Sequence, residues 1–266
     1  MITIIKNILL IFLLNILLLS KSYSIETKAT SAYVMDATSN KALYEKNSNL
    51  RYGPASMSKL MIIYMTFERL QNGSLKLDDE FLVSRKAWKF GGSKMFVNIG
   101  DKVSVNDLLK GVIIQSGNDA CIVLAEGLSG SEENMVDAIN EKAKELGLLN
   151  SNFANVTGWP DKDHYMTARD IAHLSKLIIE VFPEYYYYFS LKSFTYNNIE
   201  QFNRNELINL EGYDGLKTGR TTQAGFGLVV SKVKGDQRII SVVNGLNSNK
   251  ERVNETKKMV NWSFRE

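Results

Sequence analysis

Cysteine and histidine are nearly missing from this 266-residue chain, and each shortage closes off a class of chemistry. Cys121 stands alone, so no internal disulfide can form even in an oxidising compartment. It lies in the apolar stretch 120–125 and reads as a small buried hydrophobe, not as a nucleophile. The two histidines, His164 and His173, belong to no Cys/His cluster with metal-ligand spacing, so neither a metal nor any other cofactor is expected. Nothing sets either one beside a nucleophilic serine, and His173 sits inside a helical pattern. Charge of one sign is scarce as well: 32 Lys and Arg against 29 Asp and Glu leave a net +3. That near-balance gives no electrostatic reason to expect a nucleic-acid partner. No Pro/Gly-rich linker, internal repeat or low-complexity block interrupts the chain. Its 44% hydrophobic and 23% charged composition suits one sizeable globular domain.

The longest apolar run, 8–19, is broken only by Asn15; it follows Lys6 and precedes Ser20-Lys21-Ser22-Tyr23-Ser24. A basic start, a short hydrophobic stretch and small residues predict a secretory signal peptide over 1–24, cleaved after Ser24. The protein is then exported, to the periplasm or cell envelope. The run is short for a bilayer crossing, so membrane contact is expected only through an uncleaved signal. Cleavage removes Lys6 and Lys21 and no acids, which lowers the net charge from +3 to +1.

Residues 31–36 and 42–45 read as two short strands around a turn-rich 37–41. A helix over 57–70 follows Pro54. Ser104-Val105-Asn106-Asp107 and Thr167-Ala168-Arg169-Asp170 read as capping boxes that open two more helices. Capping accounts for Asp170 without giving it a catalytic part. Further helical patterns cover 119–126, 132–146 and 250–264. Two runs rich in β-branched residues, 224–232 and 238–245, flank Lys234-Gly235-Asp236 as a hairpin. Strands at both ends and helices between them predict an α+β fold, its terminal strands completing one antiparallel sheet with helices on its faces. Four adjacent tyrosines, Tyr185 to Tyr188, match neither the helical nor the strand period. They predict a loop–helix junction with some rings buried and others exposed.

Three short motifs carry the chemistry. In Ser56-Met57-Ser58-Lys59, residues three apart share a helical face, so the Ser56 hydroxyl and the Lys59 amine can meet. Serine needs a base to become a nucleophile, and a lysine serves when burial and a second cation lower its pKa. A helix N-terminus there also favours the negative oxygen of acyl transfer. Ser116-Gly117-Asn118 joins two apolar helical stretches with a hydroxyl that can relay a proton and a carboxamide that can hold a substrate amide. It is also an ordinary turn sequence. In Lys217-Thr218-Gly219, Lys and Thr can bind a substrate carboxylate, and Gly lets an extended substrate lie close to the strand edge. Each motif alone is common, whereas the three in this order are not.

The trio is that of penicillin-binding proteins and class A β-lactamases. From about Ala32 to Arg265 the chain resembles the D-alanyl-D-alanine carboxypeptidases, the low-molecular-mass penicillin-binding proteins of serine peptidase family S11. The surrounding residues are family-like too: Pro54-Ala55 before Ser56, Gln115 before Ser116, His164-Tyr165, Asn203-Arg204-Asn205 and Asp214-Gly215-Leu216 before Lys217. The resemblance implies the β-lactamase/transpeptidase-like fold, a five-stranded antiparallel sheet flanked by helical clusters. It implies that Ser56 attacks the penultimate D-alanine carbonyl of a peptidoglycan stem peptide ending in D-Ala-D-Ala. Lys59 would be the base, Ser116 the proton relay, Asn118 a substrate-amide contact, and Lys217 with Thr218 the carboxylate site. The backbone N–H groups of Ser56 and Arg220 would form the oxyanion hole, and β-lactam antibiotics would acylate Ser56.

Arg220, following Gly219, lies on the same side of a strand as Thr218. It either adds its side chain to carboxylate recognition or contributes only its backbone N–H. Such carboxypeptidases usually continue into a β-rich domain and an amphipathic anchor helix. This sequence stops at Glu266 without them, so a catalytic domain over 25–266 is expected. No glutamate occurs between Glu145 and Glu180, where class A β-lactamases need one to activate water, and this disfavours rapid antibiotic hydrolysis. A D,D-endopeptidase would use the same residues. A non-catalytic envelope protein would need no nucleophile–base pair.

Overall fold

The computed structural model describes residues 25–265; the expected signal peptide, 1–24, lies outside them. Strands β1 (Ser31–Asp36) and β2 (Lys41–Lys46) form the first hairpin, and β7 (Tyr213–Thr221), β8 (Gly225–Lys234) and β9 (Gln237–Leu246) form a meander. The two join edge to edge in a five-stranded sheet of order β2-β1-β9-β8-β7, antiparallel throughout. The predicted hairpin and the expected completion of one sheet by terminal strands are both present. The pairing of β1 with β9 sets Val34 opposite Ser241.

Alternation along the strands decides what each face meets. Tyr33, Met35, Val229, Ile240 and Val242 point into the larger core, shared with the helices Leu60–Gln71, Asn118–Ser129, Glu132–Glu145 and Ala168–Val181. Ala32, Leu228, Val230 and Val243 point the other way, onto Val260 of the final helix, Asn249–Ser263. No helix among the described residues is long and apolar enough to cross a membrane.

Ser104 Oγ accepts from the Asp107 N–H at 3.1 Å, and Thr167 Oγ1 from the Asp170 N–H at 3.0 Å. Each predicted box supplies only this half. The Asp107 carboxylate faces Lys110 at 3.5 Å, and that of Asp170 accepts from Asn150 N–H and Ser151 Oγ. Aspartate is one methylene shorter than the glutamate that usually reaches back to the cap. Tyr186 and Tyr188 are buried and Tyr187 is half exposed, as helix Pro183–Tyr186 tightens into the 3₁₀ turn Tyr187–Ser190. Two small antiparallel pairs, β3 (Glu80–Leu82) with β4 (Lys102–Ser104) and β5 (Ser193–Tyr196) with β6 (Ile199–Phe202), were not signalled by periodicity. Strands of three or four residues are too short to display an alternation.

Candidate active site

Ser56 sits in a tight 3₁₀ turn, Ala55–Lys59, that leads directly into the helix Leu60–Gln71. The turn begins at Ala55, whose φ of 49° is left-handed, a conformation that costs a non-glycine residue about 1–2 kcal/mol. Two glycines allow the neighbouring chain to hold that turn. A Cβ on Gly158 would fall on the Ala55 carbonyl, and one on Gly219 would lie 2.6 Å from the Pro54 carbonyl oxygen and 3.2 Å from Ala55 Cβ. Gly219 therefore lies inside β7 and makes room for the turn that carries Ser56.

Lys59 is fully buried, and its Nζ donates to Ser56 Oγ at 2.9 Å, Asn118 Oδ1 at 2.7 Å and the Thr157 carbonyl at 2.5 Å. Asn118 Nδ2 donates to the Gly91 carbonyl at 2.8 Å, which turns Oδ1 toward the lysine. Two of the three partners of Nζ, an amide oxygen and a backbone carbonyl, can only accept. Once Nζ loses a proton, the Ser56 hydroxyl is the one partner able to donate to its lone pair. Burial pushes the Lys59 pKa down to about 8. Cys121 and Asp119 oppose that shift and Arg204 reinforces it.

Ser116 adopts φ 63° between the π turn Gly111–Gln115 and the helix Asn118–Ser129. Its buried Oγ has no hydrogen-bond partner among the described residues. Lys217 is buried in β7, and burial, then the charges of Lys59 and Arg204, hold its pKa well below the ordinary lysine value. Among the described residues, Lys59, Lys217, Arg204, Arg220 and Arg252 have no carboxylate within 4.0 Å. Ser56, Ser116, Thr218, Gly219 and Arg220 line a lobe of about 330 Å³ with Arg204 and Arg252. Ser56, Asn118 and Arg220 also line a second lobe, of about 570 Å³, with Thr157 and Trp159. The result is a serine–lysine pair in a cleft where Arg204, Arg220 and Arg252 outnumber the one acid beside them, Glu206, an arrangement suited to an anionic substrate.

The sequence model of the D-alanyl-D-alanine carboxypeptidase family, Peptidase S11, matches residues 19–248. The chain belongs to this family. The D-alanyl-D-alanine carboxypeptidase DacC of Escherichia coli (strain K12) is 45% identical over 241 residues, covering 87% of this chain and 60% of that protein. The crystal structure of penicillin-binding protein 5 from Haemophilus influenzae superposes with a TM-score of 0.88 at 39% identity, over 91% of this chain and 72% of that one. Penicillin-binding protein D2 from Listeria monocytogenes, solved in its ampicillin-bound form, gives a TM-score of 0.83 at 28% identity, over 91% and 99% of the two chains. The chain spans about 60% of the length of DacC and of the Bacillus subtilis and Escherichia coli relatives DacF and DacD.

The fold of this S11 chain thus brings Ser56, Lys59, Ser116, Asn118, Thr218, Gly219 and Arg220 to one cleft, with Lys217 buried in the strand that forms its wall. The Arg220 guanidinium stacks over the Phe226 ring at 5.0 Å. The histidines stand elsewhere. His164 Nδ1 accepts from the Ala154 N–H and burial lowers its pKa to about 4, while His173 Nε2 meets the Leu146 carbonyl. Cys121 is buried, and burial raises its thiol pKa to about 12.

Sequence reasoning missed Arg252, on the first turns of the last helix, and the Thr157 carbonyl, because neither belongs to a motif. It also left Arg204 without a position. Arg204 Nε donates to the Gln115 carbonyl at 2.7 Å, which sets the guanidinium group beside Ser116 at the cleft.

Proposed function

We propose that the chain is a serine-type D-alanyl-D-alanine carboxypeptidase that removes the terminal D-alanine of peptidoglycan stem peptides. The observation that carries this reading is the 2.9 Å contact between Lys59 Nζ and Ser56 Oγ, in a site where only Ser56 can serve the amine's lone pair.

Neutral Lys59 takes the Ser56 proton as Oγ bonds to the carbonyl carbon of the penultimate D-alanine. The developing oxyanion is received by the backbone N–H groups of Ser56 and Arg220. Collapse breaks the C–N bond, and Ser116, whose hydroxyl has no other partner among the described residues, passes the proton from Lys59 to the departing amine. The freed D-alanine carries away the carboxylate, which had been held by Lys217, Thr218 and the arginine-lined lobe. Asn118 holds the substrate amide. Water, deprotonated by the same lysine, then cleaves the acyl-enzyme and regenerates Ser56. Penicillins, which carry a reactive amide and a carboxylate, acylate Ser56 by the same first step. Their release is slow, since no glutamate lies between Glu145 and Glu180 to activate water. The substrate places the working enzyme in the cell envelope, reached through the signal at 1–24.

The test uses the 25–266 protein with a labelled penicillin and, separately, with a D-alanyl-D-alanine pentapeptide. Covalent labelling that disappears in Ser56→Ala, together with release of D-alanine, is the expected result. Labelling without release contradicts the carboxypeptidase, and absence of labelling removes the acyl-transfer reading altogether.

A further inference from the structure

The Thr157 carbonyl that accepts from Lys59 Nζ lies in 153–159, a segment with neither helix nor strand. The helix Glu132–Glu145 fixes the start of that segment. Asn140 Oδ1 accepts from the Phe153 N–H at 2.9 Å, Asn140 Nδ2 donates to the Phe153 carbonyl at 2.8 Å, and Glu132 Oε1 accepts from the Val156 N–H at 3.3 Å. Past Val156 these anchors end. The N–H groups of Thr157, Gly158 and Trp159 have no backbone acceptor among the described residues.

One side chain receives all three. Asn155 Oδ1 accepts from the Thr157 N–H at 3.1 Å, the Gly158 N–H at 2.8 Å and the Trp159 N–H at 3.0 Å, and from the Thr157 hydroxyl at 3.1 Å. Its Nδ2 donates to the Trp159 carbonyl at 3.0 Å. The Thr157–Gly158 peptide links this cluster to the chemistry. In a trans peptide the C=O and the N–H lie in one plane and point opposite ways. Here the N–H is held by Asn155 and the C=O accepts from Lys59 Nζ, so rotating the peptide off Asn155 swings the carbonyl off the amine. That carbonyl is one of three groups that fix the amine, beside Asn118 Oδ1 and Ser56 Oγ. Asn155 lines neither lobe of the cleft and reaches the reacting atoms only through this peptide.

We propose that Asn155 is a positioning residue for acyl transfer: by pinning the Thr157–Gly158 peptide, it keeps a fixed acceptor on Lys59 Nζ and so keeps the amine aimed at Ser56 Oγ. The inference rests on the acyl-transfer reading of Ser56 and Lys59. It also ties the peptide to the pH at which Lys59 becomes a base. A carbonyl that accepts from an ammonium favours the charged form, and its loss makes the lysine a base at lower pH. The other titratable and charged groups facing Lys59 are Cys121 and Asp119 on the helix Asn118–Ser129, Arg204 after β6, Lys217 in β7, and His164 ahead of the helix Ala168–Val181.

The test follows the acylation of Ser56 by a labelled penicillin as a function of pH, with those five groups left unchanged. Asn155→Ala should lower the limiting rate roughly ten- to a hundredfold and move the inflection to lower pH. Asn155→Asp keeps an acceptor for the three N–H groups but sets a negative charge behind the peptide. Its limiting rate should exceed that of Asn155→Ala, and its inflection should move to higher pH. Asn140→Ala unties the segment at Phe153 alone and should lower the melting temperature while the inflection stays in place. If Asn155→Ala does not fold, the upward displacement in Asn155→Asp decides the matter. An inflection that stays put in a folded Asn155 variant, or that moves as far in Asn140→Ala, overturns the proposal. Wild-type protein that is labelled while the Asn155 variants behave like it defeats the positioning role alone. Wild-type protein that is not labelled defeats the acyl-transfer reading, and this one with it.

Discussion

The carboxylate of Asp119 accepts the backbone N–H groups of Met95 and Phe96, each at 2.9 Å. One buried side chain on the helix that carries Asn118 thus holds the facing loop 91–97, whose Ser93 carbonyl in turn accepts from the Asn118 N–H. Asp119→Ala leaves buried donors without a partner, at a cost of about 2–4 kcal/mol. Thermal melting should show that loss, and acylation by labelled penicillin should slow because the cleft wall is no longer held.

Acylation should follow the titration of Lys59. The amine is a base only when neutral, and its pKa is about 8. The acylation rate is therefore expected to fall by about tenfold per pH unit well below that value and to level off above it. A guanidinium group does not deprotonate in this range, so Lys59→Arg should lose roughly 10²- to 10⁴-fold in acylation at every pH. Stopped-flow measurements with a chromogenic β-lactam across pH 6 to 10, that is, roughly two units either side of the lysine, would read both effects.

Binding of an anionic ligand should take up protons. Burial and neighbouring cations hold the Lys217 pKa well below its usual value, and an arriving carboxylate raises it again. Calorimetric titration of Ser56→Ala with a D-alanyl-D-alanine peptide, in buffers of different ionisation enthalpy and across a range of pH, should report net proton uptake. Lys217→Met should abolish the uptake.

Gly158→Ala should damage the site more than the fold. Its φ of 80° is unfavourable for alanine, and the added Cβ would push on the Ala55 carbonyl next to Ser56. The expected cost is about 1–3 kcal/mol in stability, accompanied by a larger fractional loss of acylation rate. A melting curve combined with labelling kinetics would separate the two.

At the opposite end of β7, Asp214 accepts from Arg238 Nη1 at 2.7 Å and from the Tyr186 hydroxyl at 3.0 Å. Asp214→Ala takes the acceptor from the Tyr186 hydroxyl, leaves Arg238 Nη1 only Ser231 Oγ, and should destabilise the strand by about 1–3 kcal/mol. Since Lys217 and Thr218 follow on the same strand, KM should rise alongside the drop in melting temperature.

What could be read from residues alone follows from how local each signal is. Ser31–Asp36 announces itself by the turn-rich 37–41 that follows it, the last hairpin by β-branched runs and a Lys-Gly-Asp turn, and the caps at Ser104 and Thr167 by three-residue spacing. Ser56 and Lys59 are neighbours on one turn, so their meeting was legible as well. The grip of Asp119 on Met95, the Thr157 carbonyl at Lys59 and the arrival of Arg252 depend on chain segments tens to hundreds of residues apart, and no period records them. Gly219 shows a different limit. Its lack of a side chain was visible, but the thing filling that space, the Pro54–Ala55 backbone, becomes apparent only in three dimensions.

The register that places Val34 opposite Ser241 also bears on how the molecule comes to be folded. β9 occupies the middle of the sheet yet follows the other four strands of that sheet in sequence, so until it emerges β1 and β2 are an isolated ribbon, marginal in water. Contacts of such high sequence separation are slow to form. This sheet of a growing chain accordingly stays open until Leu246 has been synthesised, and so remains threadable. The nucleophile's turn, which leans on β7 and β8, acquires its shape only in that final closure.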